Sequence, residues 1–321
     1  MVKLNYNSSN RQLMFKYLKS LYSTKFGNGK TAKNVKQKFD EIKLTYPFSV
    51  IFYDISFCNI IFTKPENLKC LINKIELRII EQSEILYKTI DNKKKFIYKM
   101  KEDLKEVFKY EKKFQSPISK FFEKNLQTRT CYFCNIHFVN EYKIDDEYKN
   151  EFTLDHYYDK GTYPYLALSL YNLIPSCYTC NSKLKKTEEL DVLAPNSKNF
   201  DFNEKVKFKL YLDESCKNLH VKSKEDIDIV LKEQFTDNYD KYIEIFKLNE
   251  RYKAHKDIVY EMIEKAELYP ESRLKELQNL TGIPFQQIKK DIFNLIDENE
   301  DLSKKPFSKL IKDISEELGI N

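Results

Sequence analysis

Two C-x-x-C pairs, Cys131–Cys134 and Cys177–Cys180, are the residues of this sequence whose type and spacing speak most directly of chemistry. In a reducing compartment, paired cysteines of this kind are metal ligands more often than disulfides. A C-x-x-C turn aims two thiolates at one ion. Two such turns complete the tetrahedral shell of zinc, with sulfur at about 2.3 Å. Four cysteines leave no open position for water, so the predicted zinc site is structural. Redox C-x-x-C motifs are the competing reading, but they occur one per domain at the start of a helix. Cys58, Cys70 and Cys216 stand alone and read as small buried hydrophobes. His137 is superfluous once four sulfurs are present and reads as structural or surface.

Between the pairs lies a polar set: Asp155 next to His156, then Asn172, then Asn181 directly after Cys180. The elements that must position it are readable. Phe152 to His156 is a short strand. Lys160 to Pro164 is a loop punctuated by Gly161 and Pro164. Leu170 to Ile174 is a second strand, and a helix starts near Asn181, a good N-cap residue. The unit is strand, loop, strand, helix, pinned at its base by the cysteines.

Over about residues 128–190 this pattern resembles the HNH, or ββα-metal, nuclease family, in the variant with Asn at the last position. The resemblance implies phosphodiester hydrolysis. His156 would be the general base, a role worth roughly 10²–10⁴ in rate. Asp155 and Asn181 would offer oxygens to a catalytic Mg²⁺ or Mn²⁺, hard ions distinct from the zinc. Asn172 would bond across the loop and so orient His156. Lys183 or Lys185 would meet a phosphate. The family usually carries a Lys and a Gly after its last position; here the run is Asn181-Ser-Lys183-Leu-Lys185, without the Gly.

The 321-residue chain as a whole is long enough for about two domains at roughly 150 residues each. Its 41% hydrophobic and 32% charged residues suit a globular core rather than a disordered tail. With 5 Gly and 9 Pro, collagen-like and linker classes are excluded and a turn-rich all-β fold is disfavoured. The apolar run Phe48 to Phe62 contains Asp54 and Asn59 and is too short to span a bilayer. The N-terminus shows no secretory signal, so a soluble cytoplasmic protein without a membrane partner is expected. There is no glycine-rich phosphate loop, hence no nucleotide hydrolysis by the chain itself.

Charge is uneven. Residues 1–40 carry nine Lys/Arg against Asp40, a net +8; the total is +6, so the remainder sums to −2. Such a block suits a polyanion, with Lys16, Lys19, Lys25, Lys30 and Lys33 as candidate nucleic-acid contacts. It reads equally well as a solvated lysine-rich face.

The flanks are largely helical. Leu68, Ile72, Ile75, Ile79, Leu86 and Ile90 recur at helical spacing, Asp91 to Lys95 breaks the pattern, and Ile97, Met100, Leu104 and Val107 resume it. Phe48 to Phe62 is buried strand or buried helix. Val206 to Leu212 alternates as a strand, as does Leu219 to Lys222. Ser223 with Asp226 forms a capping box that opens a helix through Ile227, Val230 and Leu231. Further helices are expected over Asn249 to Leu268, with His255 at an interhelix or surface position, after Pro284 and after Pro306. The expected fold is mainly α with a small ββα-metal, zinc-bound core, α+β overall. Its regions are a basic helical 1–125, the core 126–192 and a mostly helical 193–321.

The resemblance thus implies a metal-dependent endonuclease acting on DNA, with RNA such as transfer RNA as the alternative. Chains with helical flanks around such a core resemble restriction and anti-phage nucleases, some of which work with a separate ATPase or other defence protein. A non-catalytic, zinc-stabilised nucleic-acid-binding module is the rival from another class, and it has no need of Asp155, His156 and Asn181 together.

Overall fold

The structure is a computed structural model and describes residues 11–22, 34–110, 114–126, 129–144, 147–190, 194–212, 221–297 and 299–320. Among these residues the chain is mostly helical, with three two-stranded antiparallel ladders, an α+β arrangement. Lys25, Lys30, Lys33 and Cys216 lie outside the described residues. No helix among those described is long and apolar enough to cross a membrane.

The N-terminal half is built on a helical hairpin, Pro65–Leu86 and Ile90–Val107. Pro65 sits in the first turn, where its missing N–H has no partner to lose. Leu68, Ile72, Ile75 and Ile79 then bury one stripe at helical spacing. The break falls at residues 87–89, not at Asp91 to Lys95. Thr89 takes the extended N-cap position and Asp91 the first turn, where a negative charge suits the helix dipole; the lysines that follow are good helix formers. The apolar run resolves into two short helices, Phe48–Ile51 and Phe57–Phe62, the second opened by a Ser56–Asn59 capping box. Cys58 and Cys70 are exposed, contrary to the buried reading. Phe57, Ile60 and Ile61 on one helix and Leu68 and Ile72 on the other take the inward positions.

After the first cysteine pair the chain forms a hairpin that the sequence pattern does not announce: β1 (Glu141–Ile144) with β2 (Glu147–Asn150). Then β3 (Thr153–His156) pairs with β4 (Leu173–Ser176), Asp155 opposite Ile174 and His156 opposite Leu173. β4 starts later than the pattern predicts because residues Leu170–Asn172 form a 3₁₀ turn. The following helix is a π-helix, Thr179–Lys185, and Asn181 lies inside it rather than at its cap.

β5 (Val206–Leu212) lies where its alternation puts it and pairs with β6 (Ile227–Glu233). The second strand replaces an expected helix. The Ser223–Asp226 capping box does form, but it opens a single 3₁₀ turn, and Ile227, Ile229 and Leu231 then bury one face at period two. Of Leu219 to Lys222, the two described residues, Val221 and Lys222, are not in a strand. The helix expected from Asn249 to Leu268 is interrupted at Ala254 and His255, giving Leu248–Lys253 and Lys256–Leu268. Helices Phe285–Phe293 and Ser308–Glu317 follow Pro284 and Pro306.

Two large cores organise the whole. One gathers the N-terminal helices with Leu154, Tyr165, Leu166, Leu168, Leu170 and Leu173. The other gathers both cysteine pairs, Ile174, the β5–β6 ladder and the C-terminal helices. Segment 126–192 therefore straddles a seam. Its cysteine end packs into the C-terminal core and its loop into the N-terminal one.

Candidate active site

The first knuckle is a tight turn. Asn135 N–H donates to the Cys131 carbonyl at 2.8 Å, with Asn135 at φ 55°. Asn is among the residues that tolerate this left-handed conformation. The buried Asn135 side chain then ties the turn to the C-terminus. Its Nδ2 donates to Thr130 Oγ1, Leu302 O and Lys305 O, each at 3.1 Å, and its Oδ1 accepts from Ser308 Oγ and Lys309 N. Tyr252 Oη donates to Cys134 O at 2.7 Å and Tyr242 Oη to Phe133 O at 3.2 Å. The sulfurs of Cys131, Cys134, Cys177 and Cys180 all lie within 4.8 Å of one another and all four residues are buried, a set that can hold a metal ion. Arg251 Nη1 lies 3.3 Å from Cys180 Sγ, a positive charge beside the thiolates. His137 is exposed, and its carbonyl accepts from Cys131 N–H.

From the second pair the π-helix carries Asn181 back onto β3, where Asn181 Nδ2 donates to Thr153 Oγ1 at 2.9 Å. That commitment leaves the amide oxygen as the atom Asn181 can offer a ligand. Directly paired residues share a sheet face. Asp155 therefore lies with Ile174, and His156 lies with Leu173 towards the N-terminal core. The loop between the strands is stapled by Asn172, which is fully buried. Its Oδ1 accepts from Tyr158 N–H at 2.8 Å, and its Nδ2 donates to Tyr158 O at 2.9 Å and Leu166 O at 3.3 Å. The loop so held presents the Ala167 carbonyl 3.0 Å from His156 Nε2. A carbonyl only accepts, so Nε2 carries a proton and in the neutral ring Nδ1 holds the lone pair.

Asp155, His156 and Asn181 together line one open cleft of about 250 Å³, with Thr153, Lys160 and Lys186. Burial pushes the Asp155 carboxyl up to about 6, against the pull of Lys185. Burial, with Lys160 adding to it, pushes His156 down to about 3, so its ring is neutral at pH 7. Lys185, expected at a phosphate, is instead buried to 0% exposure, with Nζ 3.0 Å from His156 O and 3.2 Å from Asp155 Oδ2. Lys183 is exposed on the helix, and Lys186 is exposed at the cleft.

Several residues of the site carry no sequence signal. Tyr110 lines the cleft with its ring edge-on to His156, centroids 4.7 Å apart, yet it follows an unrelated helix. Lys160 lies over that ring, 5.0 Å from its centroid. Lys16 and Lys19 are exposed on the helix Arg11–Tyr22, and neither lines this cleft. No protein-family model matches the chain, and no curated protein and no solved structure does.

Proposed function

We propose that the protein is a metal-dependent endonuclease of the HNH type, hydrolysing phosphodiester bonds in DNA. The observation that carries this reading is the meeting of Asp155, His156 and Asn181 in one cleft, with His156 Nε2 fixed on the Ala167 carbonyl. In the neutral ring this leaves Nδ1 as the nitrogen with an available lone pair. Water attacking phosphorus loses its proton to Nδ1 as the bond to the leaving oxygen breaks. An arriving phosphate brings the negative charge that raises the proton affinity of a ring held low by burial and Lys160. Asn172 keeps the loop, and so the ring, in register.

The donor set fits a hard divalent ion. Asp155 Oδ2 is a buried oxygen without a geometric hydrogen bond among the described residues, and Lys185 Nζ stands 3.2 Å away as its ion-pair partner. With the Asn181 amide oxygen it makes an oxygen pair suited to Mg²⁺ or Mn²⁺. Such an ion supplies positive charge at the phosphate and the leaving oxygen. The cysteine cluster fits zinc: a tetrahedron with bonds of about 2.3 Å has sulfurs about 3.8 Å apart, and Cys134 Sγ and Cys177 Sγ are 4.0 Å apart.

The test is incubation with duplex DNA and with RNA, with and without Mg²⁺, comparing wild type and His156→Ala in single turnover. Wild type should cleave only with the ion, and His156→Ala should be slower by roughly 10²–10⁴ while keeping fold and zinc. Near-normal cleavage by the variant would sink the mechanism. RNA cut in preference to DNA would reassign the substrate.

A further inference from the structure

Lys186 sits in a backbone conformation that its side chain does not favour. The residue has φ 50° and ψ −114°. Other positive-φ residues, Lys247, Asn294 and Phe307, have ψ of 45°, 38° and 7°, in or near the left-handed helical region. Lys186 lies outside it. Glu188 N–H donates to Lys185 O at 2.8 Å, so residues 185–188 form a β-turn. The angles of Lys186 are those of the second residue of a type II′ turn, a position that glycine dominates. A glycine would relax the backbone here without disturbing any buried packing, because the Lys186 side chain is exposed. The turn also divides two adjacent lysines. Lys185 runs inward to Asp155, and Lys186 lines the cleft with Asp155, His156 and Asn181. Residues held in sparsely populated backbone regions cluster at functional sites. Lys160, from the loop after β3, brings a second ammonium to the same cleft.

We propose that Lys186 holds a non-bridging phosphate oxygen of the nucleic-acid backbone in this cleft, with Lys160 as the second contact. The inference rests on the endonuclease reading and deepens it. Lys186 gives up backbone comfort for a charge at the cleft lip, and its contact is to phosphate, so it reads no sequence. Asp159 also lines the cleft, and its Oδ2 accepts from Thr162 N–H at 2.7 Å and from Thr162 Oγ1 at 3.0 Å.

The experiment uses the full chain in a His156→Ala background, which retains substrate uncut. Binding to a random-sequence DNA duplex and to single-stranded RNA is titrated across salt, and thermal unfolding is followed in parallel. Lys186→Gly should melt at or above the parent temperature, yet bind roughly tenfold more weakly to every sequence. Its log–log salt slope on duplex DNA should be shallower by about 0.9. Lys186→Arg should restore affinity and slope while leaving the melting temperature at the parent value. A Lys186→Gly protein with higher melting temperature and unchanged affinity and slope overturns the proposal: the lysine would then be strained to no purpose. If the parent binds neither probe and wild type cuts neither, the endonuclease reading itself fails, and this inference fails with it.

Discussion

Lys309 with Asp313 and Lys185 with Asp155 are both buried ion pairs, each side chain no more than 2% exposed, and they are completed very differently. Lys309 and Asp313 stand one turn apart on the helix Ser308–Glu317, 2.8 Å from each other. Asp313 Oδ2 also accepts from Phe208 N–H of β5 at 2.9 Å, and Oδ1 from Lys207 Nζ at 3.4 Å. Both oxygens are satisfied, so the pair works as a bolt between helix and ladder. Asp155 and Lys185 come from β3 and the π-helix. Lys185 spends a hydrogen bond on the His156 carbonyl, and Asp155 Oδ2 has none among the described residues. A fully satisfied buried network specifies structure; a partly satisfied one needs another explanation. The incomplete pair is the one beside the cleft, which is where an incoming cation would complete it.

The largest expected effect comes from the sulfur cluster, because it lies in the same core as the bolted pair. Leu310 and Ile314, which flank Asp313, share that core with all four cysteines, and Asn135 joins knuckle to helix directly. Structural zinc contributes about 10–16 kcal/mol in small domains. If the cluster holds zinc, Cys177→Ser should lose it by metal analysis and lose amide protection around β5 and the helix Ser308–Glu317. The hairpin Pro65–Leu86 and Ile90–Val107, in the other core, should stay protected. Protection around Asp313 that survives zinc removal would show that the bolt stands without the metal.

Breaking the bolt comes next. Lys309→Met leaves Asp313 charged and buried, and removing one partner of a buried pair costs about 3–5 kcal/mol. Urea unfolding should show that destabilisation as a lower midpoint, while the cleavage rate of the folded protein stays at the wild-type value. Cleavage that falls in proportion to stability would erase the distinction between the two pairs.

A smaller effect probes the unfinished pair. If Asp155 Oδ2 is a ligand atom, Mn²⁺ at a hundred times its dissociation constant should stabilise the fold by about 2.7 kcal/mol. Asp155→Asn should abolish that response in thermal unfolding with the metal content of the cysteine cluster unchanged. Asp313→Asn should melt lower yet keep the full response. An equal Mn²⁺ shift in wild type and Asp155→Asn would place the ion elsewhere.

The contrast also explains what could be read in advance. The cysteine pairs and the Asp155, His156 and Asn181 spacing lie within one supersecondary unit, so local pattern alone brings them close. The inward turn of Lys185 could not be read, because a π-helix abandons the 3.6-residue period on which helical faces are assigned. Tyr110 comes to His156 through packing between distant segments, and no spacing encodes that. In the C-terminal half, β5 announces itself by alternation, whereas β6 is masked by a true capping signal and by Val230 interrupting its alternation. The seam through 126–192 is invisible for a similar reason: a boundary between cores is set by which side chains meet, not by composition.

The smallest effect concerns charges that are neither paired inside nor at the cleft. The helix Arg11–Tyr22 buries Leu13, Tyr17 and Leu21, and Tyr17 Oη donates to Leu168 O, which anchors it on the loop beside the site. Arg11, Lys16 and Lys19 are left on its exposed side, with Lys16 Nζ donating to Asn125 Oδ1 at 3.2 Å. Exposed charges of this kind contribute within about 0.5 kcal/mol to stability. Lys16→Ala with Lys19→Ala should thus leave unfolding nearly unchanged, in contrast to either buried lysine. If these side chains touch phosphate, the salt slope of duplex binding should fall by about 0.9 for each phosphate no longer neutralised, with all sequences weakened alike. The single-turnover rate at saturating substrate should not move, because neither residue lines the cleft. A salt slope identical to wild type would make this face a solvated surface and leave the backbone to Lys186, Lys160 and Lys183. A changed rate with an unchanged slope would instead mean that the helix acts on the site through Tyr17 and the loop it holds.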